Sequence, residues 1–440
     1  MKIRNLSWVF ISLIILSACR KNDNVGGGNP PPDDVLKDSI LSIARDIYLW
    51  NDQIPASFNA KSYSGPQEIM EAIREYSNEP GFPDPVDHYS FAMKQNEWDD
   101  LSNGIISDFG LNAFFFTDTD LRVRMVEEES PAGKAGIKRG WKFVQVAGNT
   151  NITADNSDFL VDNIYESPST AFTFEKPDGS TVDITLNSQT YQEQPVVFDS
   201  VYTVGSKKAG YLVFNSFLGD TSQVLTELAN VFNNFVAQNV TDVIVDLRYN
   251  GGGYVSLSEA LANFLVKTSA NGNIMMTQQY NDNYSDLNDV SVFRKRGSLN
   301  VSNVYFIVSD NTASASELVI NNLKPVANVK LVGPEATYGK PVGFFPIPIG
   351  DWYVFPVSFR TTNGQNSGNY FDGIQVDQVV SDGLDKNWGD VNEASLASVL
   401  KYIGTGSFAV VPPGLNSTLD TQLKEKNKKL NRNFKGAVSR

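Results

Sequence analysis

Residues 311–340 read NTASASELVINNLKPVANVKLVGPEATYGK. The run just before them, Val304-Tyr305-Phe306-Ile307-Val308, is short, apolar and rich in β-branched residues, which predicts a buried strand. Small polar residues follow, then Glu317-Leu318-Val319-Ile320 opens a helical pattern that Pro325 stops. Ser314 therefore falls where a strand breaks into a helix, with the first helical N–H groups facing whatever its side chain meets. A second short strand over 329–332 leads into Thr337-Tyr338-Gly339-Lys340 and brings a lysine to the end of a neighbouring strand. A serine at a helix start and a lysine on an adjacent loop can form a nucleophile and its base. The same residues also fit a plainer pattern. Ser314-Ala315-Ser316-Glu317 is an S-x-x-E capping box, in which serine and glutamate only satisfy backbone donors.

The rest of the chain narrows the choice. Its 440 residues suggest two or three domains. A formal charge of −14 argues against nucleic acid as a partner, because phosphate binding needs a basic face. The chain has a single histidine, His88, which excludes a His-rich zinc site. A Ser-His-Asp triad would have to draw on that one distant residue, so lysine is the simpler base. No metal or other cofactor is expected.

At the N-terminus Lys2 and Arg4 precede an apolar run over 6–16 that is too short for a stable membrane span. Leu16-Ser17-Ala18-Cys19 follows and looks like a bacterial lipobox, with Cys19, the one cysteine of the chain, as lipid acceptor. Residues 20–34 are rich in Gly, Pro and Asn and read as a flexible tether. The expected location is the cell envelope, lipid-anchored to a membrane through Cys19.

Helical spacing over 35–50 and 66–76 predicts a small helical region spanning 35–100. Within it, His88 is expected to be packed or capping. From residue 196 onward strands alternate with helices: strands over 209–217 and 242–247, helices over 221–237, 256–266 and 396–403. This is an α/β pattern, in which ligands collect at the carboxyl ends of strands. Ser314 falls at such an end, and so does Gly251-Gly252-Gly253. That turn can serve as a flexible connection, or as a place where backbone N–H groups approach a reacting carbonyl. Residues 423–440 are basic and polar and are expected to form a frayed tail.

Residues 105–192 form a β-rich module. Phe109-Gly110-Leu111-Asn112, the Ser130-Pro131-Ala132 to Gly140-Trp141 stretch, and a strand ending Val146-Ala147-Gly148-Asn149 make it resemble a PDZ domain. The resemblance implies a groove that takes a peptide as an added strand, with Phe109, Gly110, Leu111 and Asn112 as the loop that cradles its carboxylate.

With that module, three further landmarks make the chain resemble the S41 serine peptidases, the C-terminal processing peptidases, in a Bacteroidetes-type lipoprotein form. They are Asp246-Leu247-Arg248-Tyr249-Asn250-Gly251-Gly252-Gly253, Thr312-Ala313-Ser314-Ala315-Ser316-Glu317 and Tyr338-Gly339-Lys340, supported by Gly373-Ile374-Gln375-Val376-Asp377. The resemblance implies a multidomain α/β fold with a crotonase/ClpP-like catalytic core over 196–410, following the lipoprotein signal peptide over 1–19 and preceding the basic tail over 411–440 that the residues themselves indicate. Among Ser309, Ser314 and Ser316 it selects Ser314 as nucleophile, three residues before the glutamate. Lys340 becomes the general base. The oxyanion donors become the N–H of Ala315 and one of Gly251 or Gly252. The expected substrates are protein and peptide C-termini. Two residues depart from the pattern: Pro325 stands where relatives can carry an aspartate, and Phe344 where others carry a glutamine. The competing reading is a peptide- or apolar-ligand-binding lipoprotein on the same fold, its serine a helix cap.

Overall fold

The computed structural model describes residues 33–408, 421–431 and 436–439. Cys19 and most of the expected tether lie outside them. Among the described residues no helix is long and apolar enough to cross a membrane.

Two helices, α1 (Asp33–Ile47) and α2 (Pro66–Arg74), begin the fold. Ile40, Ala44, Ile69 and Ile73 recur at helical spacing and are fully buried. They join the same hydrophobic cluster as the α/β core, so this region is packed onto the core and shares its interior. His88 is exposed, contrary to the expectation that it packs; its neighbour Tyr89 is buried.

The β-rich module is an antiparallel meander of five strands: β1 (Leu111–Thr117), β2 (Asp120–Val126), β3 (Lys142–Val146), β4 (Ser169–Glu175) and β5 (Thr181–Asn187). The short helix α3 (Ser157–Val161) precedes β4. Alternate residues Leu111, Ala113 and Phe115 of β1 point into a core with Phe143, Phe172 and Phe174.

The core sheet follows. β6 (Val196–Val204) pairs antiparallel with β7 (Lys207–Phe214), which pairs parallel with β8 (Asp242–Asp246). Helix α4 (Thr221–Ala237) makes the crossover. The short strand β9 (Gly252–Tyr254) and α5 (Val255–Leu265) come next. Then β10 (Asn303–Ile307), α6 (Ala315–Leu323), β11 (Asn328–Gly333) and β12 (Gln378–Val379) extend the sheet in parallel, and α7 (Ala394–Thr405) closes it. Val243 and Val245 face the cluster that contains α4, α5 and α6, whereas Ile244 faces the one that contains α7. Both faces are covered, which is why these strands read as continuous apolar runs.

The expected frayed tail is corrected by the structure. Residues Thr421–Leu430 form helix α8, and Gly436–Val438 form strand β13 parallel to β9. Leu423 and Leu430 are buried in the β-module's core, and Asn427 lies between them at helical spacing. The lysines between those positions masked an amphipathic face.

A buried ion network ties module to core. Arg248 pairs with Asp246, Asp382 and Glu393, and Asp382 also takes Arg139 from the module. Elsewhere, Glu127 and Glu193 bring two carboxyl groups together. Burial pushes both upward, and the charge of Glu193 pushes Glu127 further. The folded protein therefore holds protons that the unfolded chain loses near pH 4.3, so stability falls as pH rises from the carboxylate range through neutrality. Glu127→Gln is expected to flatten that fall and to add roughly 1–3 kcal/mol at pH 8. Thermal melts at pH 5 and pH 8 measure it; equal pH dependence in the two proteins would contradict the assignment.

Candidate active site

Three loops meet at the carboxyl ends of neighbouring parallel strands. Residues 247–251 follow β8, 308–314 follow β10 and 334–340 follow β11. The strand register brings Asp246, Ile307 and Val332 level, so each loop leaves the sheet at the same height.

Ser314 is the first residue beyond the turn and the N-cap of α6. Its backbone has φ +57° and ψ −109°, a left-handed conformation that a residue with a Cβ adopts only under strain of order 1–3 kcal/mol. Of the three serines here, two have their hydroxyls engaged. Ser309 Oγ donates to the Arg248 carbonyl, and Ser316 Oγ donates to the Asn250 carbonyl at 3.0 Å. Ser314 Oγ is buried and makes no hydrogen bond. The glutamate half of the capping box is made, with Glu317 accepting the Ser314 N–H.

Glu317 carries more than that half. Its Oε2 accepts the Ser314 N–H at 2.7 Å and the Lys340 N–H at 2.9 Å. Its Oε1 accepts the Gly339 N–H at 2.7 Å and the Thr337 hydroxyl at 2.5 Å. One buried carboxylate thus holds the backbone of the serine and of the lysine against each other. Burial raises its proton affinity, and the four donors oppose that. Glu317→Ala should cost roughly 3–5 kcal/mol, because several buried N–H groups lose their acceptor together. Urea unfolding measures this, and an unchanged midpoint would rule out the strut.

Lys340 is fully buried. Its Nζ stands 3.8 Å from the centroid of the Phe344 ring and 5.0 Å from that of Tyr89. Burial drives its proton affinity well below the ordinary lysine value; Asp87 and Glu317 oppose that more weakly. Phe344 thus forms an aromatic wall beside the amine. Tyr89 also donates its hydroxyl to the Gly339 carbonyl at 2.5 Å. It arrives from the helical N-terminal region, 250 residues upstream.

The glycine turn abuts the serine turn. Asn250 is the fastener: its carbonyl accepts the Ala313 N–H at 3.1 Å and its Nδ2 donates to the Phe214 carbonyl at 3.0 Å. A Cβ on Gly252, whose φ is +110°, would lie 3.1 Å from the Ala315 nitrogen and 3.0 Å from the Ala313 oxygen. Only glycine allows this approach. The Gly252 N–H, however, is donated to Asn250 Oδ1 at 2.9 Å. That corrects its expected place among the oxyanion donors and leaves Gly251 and Ala315 as candidates.

The loop expected to cradle a peptide carboxylate lies at the start of β1. Phe109 and Leu111 are buried, and the Gly110 N–H is donated to Asp108 Oδ1 at 2.6 Å. The Gly110 carbonyl accepts Glu127 N–H and that of Phe109 accepts Ala132 N–H. Asn112 pairs across to Met125.

Sequence reasoning missed Glu317 as a strut, along with Tyr89 and Asp87. Glu317 was visible within its motif, but only as a cap. Tyr89 and Asp87 carry no local signal, because their roles arise from packing between distant segments.

The sequence pattern of peptidase family S41 matches residues 208–380, and that of the peptidase S41 N-terminal domain matches residues 36–91. The chain is similar to the carboxy-terminal processing protease CtpA of Bacillus subtilis, 25% identical over 259 residues that make up 58% of this chain and 52% of that protein. It is also similar to a protein of Staphylococcus epidermidis named as a CtpA-like serine protease, 26% identical over 257 residues, 58% of this chain and 49% of that one. The matched region spans about half the length of these curated relatives. In fold it is similar to a crystal structure from Bacteroides fragilis assigned as an S41 protease, with a TM-score of 0.67, 21% identity, and coverage of 86% of this chain and 99% of that one.

Proposed function

The chain belongs to peptidase family S41, and on that premise we propose that it is a serine endopeptidase that cleaves peptide bonds near protein C-termini. Ser314 is the nucleophile and Lys340 its general base. A neutral lysine accepts the Ser314 proton as Oγ attacks the scissile carbonyl carbon. The carbonyl oxygen becomes an oxyanion held by the N–H groups of Ala315 and Gly251. The intermediate collapses to an acyl-enzyme, the amine leaves with the proton, and water then releases the acyl group. A desolvated donor of this kind contributes on the order of 3 kcal/mol to the barrier.

The observation that carries this reading is the contrast among the three serines. Ser309 and Ser316 are tied into the turn, while the Ser314 hydroxyl is buried, strained and unengaged, on a turn whose backbone Glu317 holds together with that of the buried Lys340. Strain and a missing hydrogen bond are costs a capping residue has no reason to bear. We read the core as crotonase/ClpP-like, with loops at the strand ends supplying each group. We read the five-stranded module as PDZ-like, with its edge strand β1 and helix α3 framing a groove for the substrate's end. The lipobox supports an anchor through Cys19 and a place at the cell envelope.

A fluorophosphonate probe tests the reading directly. It should label the chain once, at Ser314 by peptide mapping. Labelling at a different serine, or none at any pH from about 7 to about 10, would overturn the assignment.

A further inference from the structure

The segment after the core lies on both halves of this site. In α8, Asn427 behaves as a strand residue: its Oδ1 accepts the Phe115 N–H at 2.8 Å and its Nδ2 donates to the Phe115 carbonyl at 3.0 Å. The Tyr165 hydroxyl accepts the Ala113 N–H at 2.9 Å and donates to the Leu430 carbonyl at 3.0 Å. β1 is an edge strand, so these bonds fill the edge on which an incoming peptide would be added.

The same segment then reaches the reacting groups. Lys424 pairs at 2.7 Å with Glu335, on the loop leading to Lys340. Asn431 donates through Nδ2 to Asn311 Oδ1 in the serine turn. β13 runs along the glycine turn, with Gly436 opposite Gly252 and Val438 opposite Tyr254. The Gly436 N–H donates to the Gly251 carbonyl at 2.9 Å, and the Ser439 N–H donates to the Phe344 carbonyl at 3.0 Å. The Gly436 oxygen lies 2.3 Å from the position of a Cβ on Gly252. Val438 is 1% exposed, seated against the aromatic wall of Lys340.

We infer that residues 421–431 and 436–439 are an intramolecular occupant of the substrate track, with helix 421–430 in the module's groove and strand 436–438 across the glycine turn. This rests on the peptidase reading of Ser314. Substrate must displace the segment, and the displacing peptide is extended, runs parallel to β9 and carries an aliphatic side chain where Val438 sits. Docking in cis lowers apparent substrate affinity by the fraction of molecules left open.

The test uses the full chain and the double variant Asn427→Ala/Val438→Asp, both also carrying Ser314→Ala for binding. A fluorescent synthetic peptide of residues 421–440 should bind the variant at least ten-fold more tightly than the parent, by anisotropy. Equal binding overturns the inference. With Ser314 intact, the fluorophosphonate should label the variant at least ten-fold faster than the wild type. Equal rates in two chains that both label overturn the occupant and leave the peptidase reading standing. If neither chain labels, the peptidase reading falls and the anisotropy result still decides occupancy. A wild-type labelling rate that varies with protein concentration assigns the segment to a second copy and overturns occupancy in cis. Lys424→Glu, a charge reversal at a partly exposed pair, should move both readouts in the same direction and guards against misfolding of the double variant.

Discussion

Lys340→Met is expected to reduce kcat/KM by roughly 10³–10⁴-fold and, at neutral pH, to make the protein more stable than the wild type. The two effects share one cause. The amine lies in full burial against the rings of Phe344 and Tyr89, so its charged form is disfavoured and its proton affinity falls well below the usual lysine value. An unfolded chain holds that proton up to about pH 10.4. Between the depressed folded value and 10.4 the unfolded state binds more protons, so stability rises with pH across that window and is lost as pH falls. Methionine fills similar volume without that penalty. Activity follows the same titration: kcat/KM of the wild type should rise with pH as the amine loses its proton, then level off below pH 10.4. Lys340→Arg should not rescue it, because a guanidinium stays charged. Thermal melts and a pH–rate profile on a fluorogenic peptide decide the matter. A profile that keeps climbing beyond pH 10.4 would mean an ordinary, solvated lysine.

Ser314→Ala is expected to lower kcat/KM by roughly 10⁴-fold or more, with the thermal midpoint within a few degrees of the wild type. The hydroxyl makes no hydrogen bond in the fold, so removing it leaves no partner unsatisfied. The backbone strain at φ +57° is set by the turn and remains with alanine. Ser316→Ala should behave in the opposite way. It removes a bond to the Asn250 carbonyl, which fastens the glycine turn, and so should cost about 1 kcal/mol while sparing most of the activity. If Ser314→Ala cleaved peptide at a tenth of the wild-type rate, another group would have to be the nucleophile.

Much of the core could be read from local pattern. The strands at 242–246 and 303–307 and the helix at 221–237 announce themselves by apolar runs and periodicity. The turn at Ser314 is bracketed by a strand before it and Pro325 after it. The tail could not be read this way. Its lysines dominate a composition reading, whereas its fold depends on Leu423, Asn427 and Leu430 meeting a surface hundreds of residues upstream. The same holds for Gly252. Its freedom of conformation was legible, but the loss of its N–H to Asn250 depends on how the turn closes.

The sequence by itself determined where the serine, the lysine and the glycines lie along strands and helices, because periodicity and turn chemistry act over a few residues. Only the tertiary structure decided which serine is left unengaged, that Glu317 binds the serine and lysine turns together, that Tyr89 walls the amine, and that α8 packs on the module and β13 pairs with the glycine turn. Each of these depends on burial or on a hydrogen bond between segments distant in the chain. Such contacts form only when the sheet sets those segments side by side, and no local pattern encodes them.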